Sequence, residues 1–138
     1  MKRYFQPKSF EMYRNKTIYE YVGILWYKKY VPTTGDLARK WKGITQIALN
    51  RTERIAELYK YERITRQYEL RHIAGAIGFI ALIVVIDKKL EVFDLIFLTA
   101  LNLYVNIFPI FLQRHNRIRI LKVLQQNGLK SPYDIDTQ

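Results

Sequence analysis

Two uncharged apolar stretches, set close together, decide what this chain can fold into. The first, Ile73–Ile86, reads IAGAIGFIALIVVI, and the second, Leu95–Leu112, reads LIFLTALNLYVNIFPIFL. Only eight residues, Asp87–Asp94, lie between them. As helices they would extend about 21 and 27 Å, against a hydrocarbon core of about 30 Å. Taken alone, the first suits a buried soluble helix as well. Its neighbour of near-lipid length tips the reading to a two-helix membrane hairpin. Leu90, Val92 and Phe93 can lengthen the apolar surface. Local thinning of the bilayer, or a re-entrant path for the first stretch, stays open.

The remainder of the chain is polar and basic. Lys and Arg number 23 against 12 Asp and Glu, a formal charge of +11. That excess calls for an anionic partner, either nucleic acid or the phosphate surface of a bilayer. Uncharged stretches with basic flanks select the membrane and argue against nucleic acid. The absence of cysteine excludes disulfides, thiolate nucleophiles and Cys-based metal sites. Residues Met1–Pro7 form no apolar run, so no cleavable signal peptide is expected there.

The distribution of Lys and Arg sets the expected orientation. Arg63, Arg66 and Arg71 precede the first stretch, and Arg114, Arg117, Arg119 and Lys122 follow the second. The intervening loop has only Lys88 and Lys89, beside Asp87, Glu91 and Asp94. Both termini are therefore expected on the cytoplasmic side of a multi-pass protein, which brings residues 66–72 and 113–119 together at one membrane face.

Three regions follow: a cytoplasmic or interfacial helical region over 1–65, the hairpin with its basic motif over 66–120, and a cytoplasmic tail over 121–138. The fold class is all-α. Residues 1–17 read as extended or short-helical. Residues 18–31, IYEYVGILWYKKYV, suit an interfacial helix rich in Tyr and Trp, or a helix packed on a small core. Pro32–Asp36 reads as a turn, with Asp36 capping a helix over LARKWKGI. Residues 51–72 lack Gly and Pro and pair opposite charges at helical spacing, such as Glu62 with Arg66. A largely solvated helix running into the first apolar stretch is expected.

Within the first stretch, Ala74 and Gly78 have the four-residue spacing that lets helices approach closely. In the second, Asn102, Asn106, Pro109, Gln113 and Asn116 fall along one helical face. Amides in hydrocarbon need partners, so this stripe either glues helices or lines a polar site. Pro109 withdraws a backbone donor and leaves the carbonyl near Val105 unpaired. The stripe runs into Gln113-Arg114-His115-Asn116-Arg117-Ile118-Arg119, whose three arginines can hold phosphate or simply anchor the inner face. Glu69 and His72 share a helical face at the entry to the first stretch. A carboxylate beside an imidazole suits a general base; an interfacial ion pair or part of a metal site fits the same spacing, with no third ligand evident. No phosphate loop, nucleophile elbow or zinc signature is present.

The run Asn106-Ile107-Phe108-Pro109-Ile110-Phe111-Leu112-Gln113-Arg114-His115-Asn116-Arg117-Ile118-Arg119 resembles the C-terminal signature of the bacterial glycosyl-4,4'-diaponeurosporenoate acyltransferases, approximately N-x-x-P-I-x-x-Q-R-Y-N-R-x-R. Glu69 and His72 match that family's Glu-x-x-His, and Arg39-Lys40-Trp41-Lys42 is similar to its K-x-W-K-like segment. The family's tyrosine is His115 here, and Ile73 stands where Trp is common. The resemblance covers about residues 25–125. It implies an enzyme of the bacterial cytoplasmic membrane that moves a fatty acyl group to a sugar hydroxyl of a glycosylated carotenoid, or another lipid-linked sugar. It implies no cofactor or metal, and acyl-CoA or acyl carrier protein as donor. On this reading His72, oriented by Glu69, takes the acceptor proton. Asn106 and Gln113 bind the sugar or the developing oxyanion. Arg114, Arg117 and Arg119, with Asn116, hold donor or lipid phosphate. The competing expectation is a non-enzymatic membrane protein that acts as a scaffold or lipid-binding subunit.

Overall fold

The lack of Gly and Pro from Arg51 to Ile73 lets one helix run unbroken into the first apolar stretch. The computed structural model, which describes residues 2–14, 16–30, 51–86 and 90–133, has this helix over Arg51–Ile86. Ahead of it come α1 (Lys2–Phe5), a 3-10 turn (Ser9–Glu11), strands β1 (Met12–Tyr13) and β2 (Lys16–Thr17), α2 (Ile18–Tyr21) and α3 (Ile24–Tyr30). The long helix is α4. It is followed by α5 (Val92–Asn102), a π-helical segment (Leu103–Ile107) and α6 (Phe108–Gln126). Among the described residues the fold is helical apart from one antiparallel pair, with Met12 opposite Thr17 and Tyr13 opposite Lys16. The expected Pro32–Asp36 turn, the helix after it and the Arg39–Lys42 segment lie outside the described residues.

Among the described residues two helices are long and apolar enough to cross a membrane. Within their most apolar windows only 11% and 17% of residues are buried by the protein itself. Ile77, Ile80, Val84, Val85, Phe93, Ile96 and Phe97 all face outward. The core of a water-soluble protein would cover such side chains, whereas lipid can solvate them.

Pro109 explains the π segment. Its ring would meet the carbonyl one turn earlier and it has no N–H to donate. The helix widens by one residue instead, and Phe108 N–H donates to the Leu103 carbonyl. The rod stays continuous, with the widened turn lying against α4.

The apolar core sits where α2 and α3 dock on α6. Tyr19, Ile24, Tyr27, Leu112 and Ile118 are buried together. Tyr27 stacks on Phe108 with ring centroids 5.1 Å apart. Gly23, at φ +88°, makes the corner between the two short helices. The outer face of the same segment leaves Tyr21, Leu25, Trp26 and Tyr30 exposed. The segment thus packs on a small core along one side, as one of the two expectations had it, and leaves aromatic side chains uncovered on the other.

At the far end, Gly128 at φ +67° closes α6. Leu129 N–H donates to the Leu124 carbonyl, and Gly128 N–H to that of Gln125. The chain then turns back along α4. Tyr59 donates to the Lys130 carbonyl at 2.7 Å, and Tyr133 is buried.

Candidate active site

Glu69 is the hub of the structure. Its carboxylate has no exposed surface. A buried charge must be paired, and Glu69 is paired twice from α6. Arg114 Nη1 donates to Oε1 at 3.0 Å and Arg117 Nη2 donates to Oε2. Arg114 and Arg117 are three apart, hence on one helical face, and together they close a fork on one carboxylate. Arg117, 1% exposed, also donates to Thr65 Oγ1 and to the Phe5 carbonyl, each at 3.2 Å. Arg114 reaches back to Glu11 Oε1 at 2.6 Å.

The network extends at both ends. Glu62 pairs with Arg66 at 3.0 Å and accepts from the Tyr133 hydroxyl. Glu11 accepts from the Tyr19 hydroxyl and the Lys8 N–H. Tyr4 and Phe5 lay their rings against Arg114 and Arg117, at 5.3 and 5.1 Å. Three carboxylates (Glu11, Glu62, Glu69) thus meet three guanidiniums (Arg66, Arg114, Arg117), so the buried cluster balances. Burial pushes the Glu11 carboxyl up, but Arg114, Tyr19 and Lys8 outweigh it and hold it below the usual 4.5. The Tyr19 hydroxyl moves the other way, raised by burial and by its bond to Glu11.

These contacts correct several expectations. The 51–72 portion of α4 is mostly exposed or half-buried, as expected, but Glu62, Thr65 and Glu69 are buried along one face. Close approach of the long helices falls at Gly75 rather than Ala74 and Gly78. A Cβ on Gly75 would stand 2.7 Å from Asn106 Oδ1, whereas Gly78 has nothing within 4 Å. Among the described residues His72 has no hydrogen-bond or ion-pair partner, and Glu69 turns to Arg114 and Arg117 instead. Guanidinium forks on a buried carboxylate outcompete a half-exposed imidazole three residues away.

The amide stripe divides in two. Asn106 donates to Asn102 Oδ1 at 2.8 Å, and Asn102 reaches the Ala76 carbonyl at 3.5 Å. This end joins the helices. Gln113 and Asn116 are half-buried and, among the described residues, hold no hydrogen bond. Arg119 is exposed.

A second polar group lies beside the hub, and spacing along the sequence gave no sign of it. Next to Arg114, His115 points to a different set of partners. It is 2% exposed, and its Nδ1 lies 2.9 Å from Thr17 Oγ1. Thr17 Oγ1 donates to Glu20 Oε1 at 3.4 Å, and Thr17 N–H donates to the same oxygen at 3.1 Å. Thr17 caps α2, which is why Glu20, three residues on, returns to it. His115 Nε2 is buried without a partner. A cleft of about 250 Å³ opens here, lined by Met12, Thr17, Glu20, His115, Arg119 and Lys122 among others. No group of three or more His, Asp and Glu able to hold a metal occurs among the described residues.

Lipid-length paired helices with a buried ion network and an imidazole-lined cleft at one end define a small helical protein of membrane type with a polar site. The family model for glycosyl-4,4'-diaponeurosporenoate acyltransferase matches residues 1–126, and the chain belongs to that family. The match takes in the N-terminal segment that supplies Glu11, Thr17 and Glu20, upstream of where the motif resemblance begins. Neither the curated proteins nor the solved structures gave a match.

Proposed function

We propose that the chain is a membrane-bound acyltransferase that moves a fatty acyl group from a thioester donor to a sugar hydroxyl of a glycosyl carotenoid or a similar lipid-linked sugar. Family membership supports the reaction class. The observation that carries the reading is the position of the polar groups. Glu69, Arg114 and His115 lie immediately outside two lipid-facing apolar stretches, where an acceptor with a greasy tail and a polar head would present its sugar.

Within this reading the residues divide by what they already hold. Arg117 and Glu69 are committed to each other and set the spacing of α4 and α6. Asn106 is committed to Asn102. Among the described residues Gln113 and Asn116 hold no hydrogen bond, which leaves their amides for sugar hydroxyls. Arg119 and Lys122 bring positive charge to the cleft rim, suited to a phosphate-bearing donor such as acyl-CoA or acyl carrier protein. Attack by an alcohol needs a proton acceptor. The chain has two imidazoles, His72 on α4 and His115 on α6. The role assigned to His72 from its spacing rests on its half-exposed position, since Glu69 does not orient it.

The test is acyl transfer in bacterial membranes carrying the chain, supplied with a labelled acyl thioester and a glycosyl carotenoid. A labelled acylated glycolipid that disappears without the chain supports the proposal. An unchanged lipid profile, with a partner protein co-purifying, supports the scaffold alternative. The buried Asn102–Asn106 pair would then serve only to join helices.

A further inference from the structure

We infer that α2 and α3 form a third membrane element, lying in the headgroup layer of the leaflet beside Arg114 and turning Leu25, Trp26 and Tyr30 toward anionic lipid. This placement goes beyond the acyl-transfer reading and stands without it. The contacts of the helix pair set its height. The Tyr27 hydroxyl donates to the Tyr104 carbonyl at 3.2 Å, and its ring stacks on Phe108. Tyr19 lies against Phe111, with ring centroids 5.4 Å apart. Tyr104, Phe108 and Phe111 belong to the uncharged stretch Leu95–Leu112, and Leu103, Tyr104 and Val105 in it face outward. A segment fastened to the last turns of a lipid-length rod enters any bilayer that covers that rod.

Composition sets the depth. Ile24 and Tyr27 form the buried side of α3, and Leu25, Trp26, Lys29 and Tyr30 fall away from it, with Trp26 63% and Tyr30 58% exposed. The Trp26 and Tyr30 rings meet at 5.2 Å. Such rings favour the headgroup level, where an apolar body and a polar tip are both satisfied. Lys29 Nζ lies 5.0 Å from the Tyr30 ring centroid, and from there its stem can carry the ammonium out to a lipid phosphate. The hydrocarbon centre is the wrong depth. With four residues in α2 and seven in α3, many terminal N–H and C=O groups have no partner within their own helix and need the water of the headgroup layer.

Charge selects the lipid. Lys28 and Lys29 on α3 are joined by Arg119 and Lys122 on α6, which share a cleft with Leu25, and all four are exposed. Glu20 is the carboxylate of that cleft, and it is held by the Thr17 N–H. Exposed cations beside an aromatic face match a layer of anionic headgroups. A second copy of the chain would set the same cations against each other. The face is also continuous with the outward side of the apolar rod at Leu103–Val105, which a bilayer can cover along its whole length.

The experiment uses the full chain reconstituted in vesicles of phosphatidylcholine and phosphatidylglycerol. The chain has two tryptophans, Trp26 and Trp41, so Trp41→Phe leaves Trp26 as the one emitter. Its emission is expected to be blue-shifted, and to be quenched more by lipid brominated near the headgroup than by lipid brominated near the bilayer centre. Brominated phosphatidylglycerol is expected to quench more than brominated phosphatidylcholine at the same mole fraction, and Lys28→Gln with Lys29→Gln should narrow the difference. A second probe leaves Trp41 in place: a spin label on Leu25→Cys should be more accessible to oxygen than to a water-soluble nickel chelate. Red-shifted emission quenched by acrylamide and not by brominated lipid would overturn the inference, because the face then meets water. Blue-shifted emission that neither quencher reaches would overturn it in favour of a protein partner. Spin–spin broadening at Leu25→Cys that disappears on dilution with unlabelled chain would overturn it in favour of a second copy. Equal quenching by the two brominated lipids would overturn the choice of anionic lipid.

Discussion

Glu69 and Arg117 share a bond from which water is excluded, and that makes both residues intolerant of single replacement. Removing one partner strands the other charge, at a cost of about 3–5 kcal/mol. Arg117→Ala is therefore expected to lower the thermal midpoint of the detergent-solubilised protein sharply. The joint replacement Glu69→Leu with Arg117→Met should recover much of the loss, because a buried pair exchanged for apolar groups is often neutral. Glu11 gives the matching pH prediction. Its folded carboxyl titrates below the usual 4.5, so it stabilises the fold above that value and loses the contribution as pH falls through its lowered one. The stability gap between the native protein and Glu11→Gln should stay constant from pH 7 to about 5 and close below 4.5 in a denaturation series. At this scale the sequence was only partly legible. The spacing of Glu69 and His72 was visible, but Arg114 and Arg117, 45 and 48 residues away, decided where the carboxylate went. The contact of Thr17 with His115 spans 98 residues and leaves no local signature at all.

Helix α4 and the widened turn before α6 meet at Gly75, where Asn106 rests against bare backbone. Gly75→Ala places a methyl 2.7 Å from Asn106 Oδ1, too close to stand. Overpacking of this kind costs about 1–3 kcal/mol. A lowered thermal midpoint is expected, relieved when Asn106→Ser is added; Gly78→Ala, with nothing within 4 Å, should be silent. The elements themselves were largely legible. Two apolar stretches, a preceding helix without breakers and Pro109 gave α4 to α6 in outline. The small β1–β2 pair was not, because two-residue strands leave no periodicity to read. The solvated reading of residues 51–72 missed one buried face for a related reason. Ion pairs at helical spacing look alike whether their face meets water or the buried arginines of another helix.

At the scale of the molecule, an outward-facing apolar hairpin joins a charged headpiece that the N-terminal segment and the C-terminal return both brace. If lipid covers the outward Ile, Val and Phe side chains, alkaline washing should leave the protein in the membrane pellet. Topology tests the account most directly, and the absence of native cysteine makes it clean to measure. Single cysteines at Ser9, Glu91 and Asn127 can be reacted with a membrane-impermeant maleimide in sealed, inside-out vesicles, with Ile77 and Phe97 as probes of the apolar rods. The account predicts that Ser9→Cys and Asn127→Cys label, Glu91→Cys labels only after the vesicles are opened, and Ile77→Cys and Phe97→Cys stay unlabelled. Labelling of Glu91→Cys alongside the other two in sealed vesicles, or ready labelling of the rods, would contradict it.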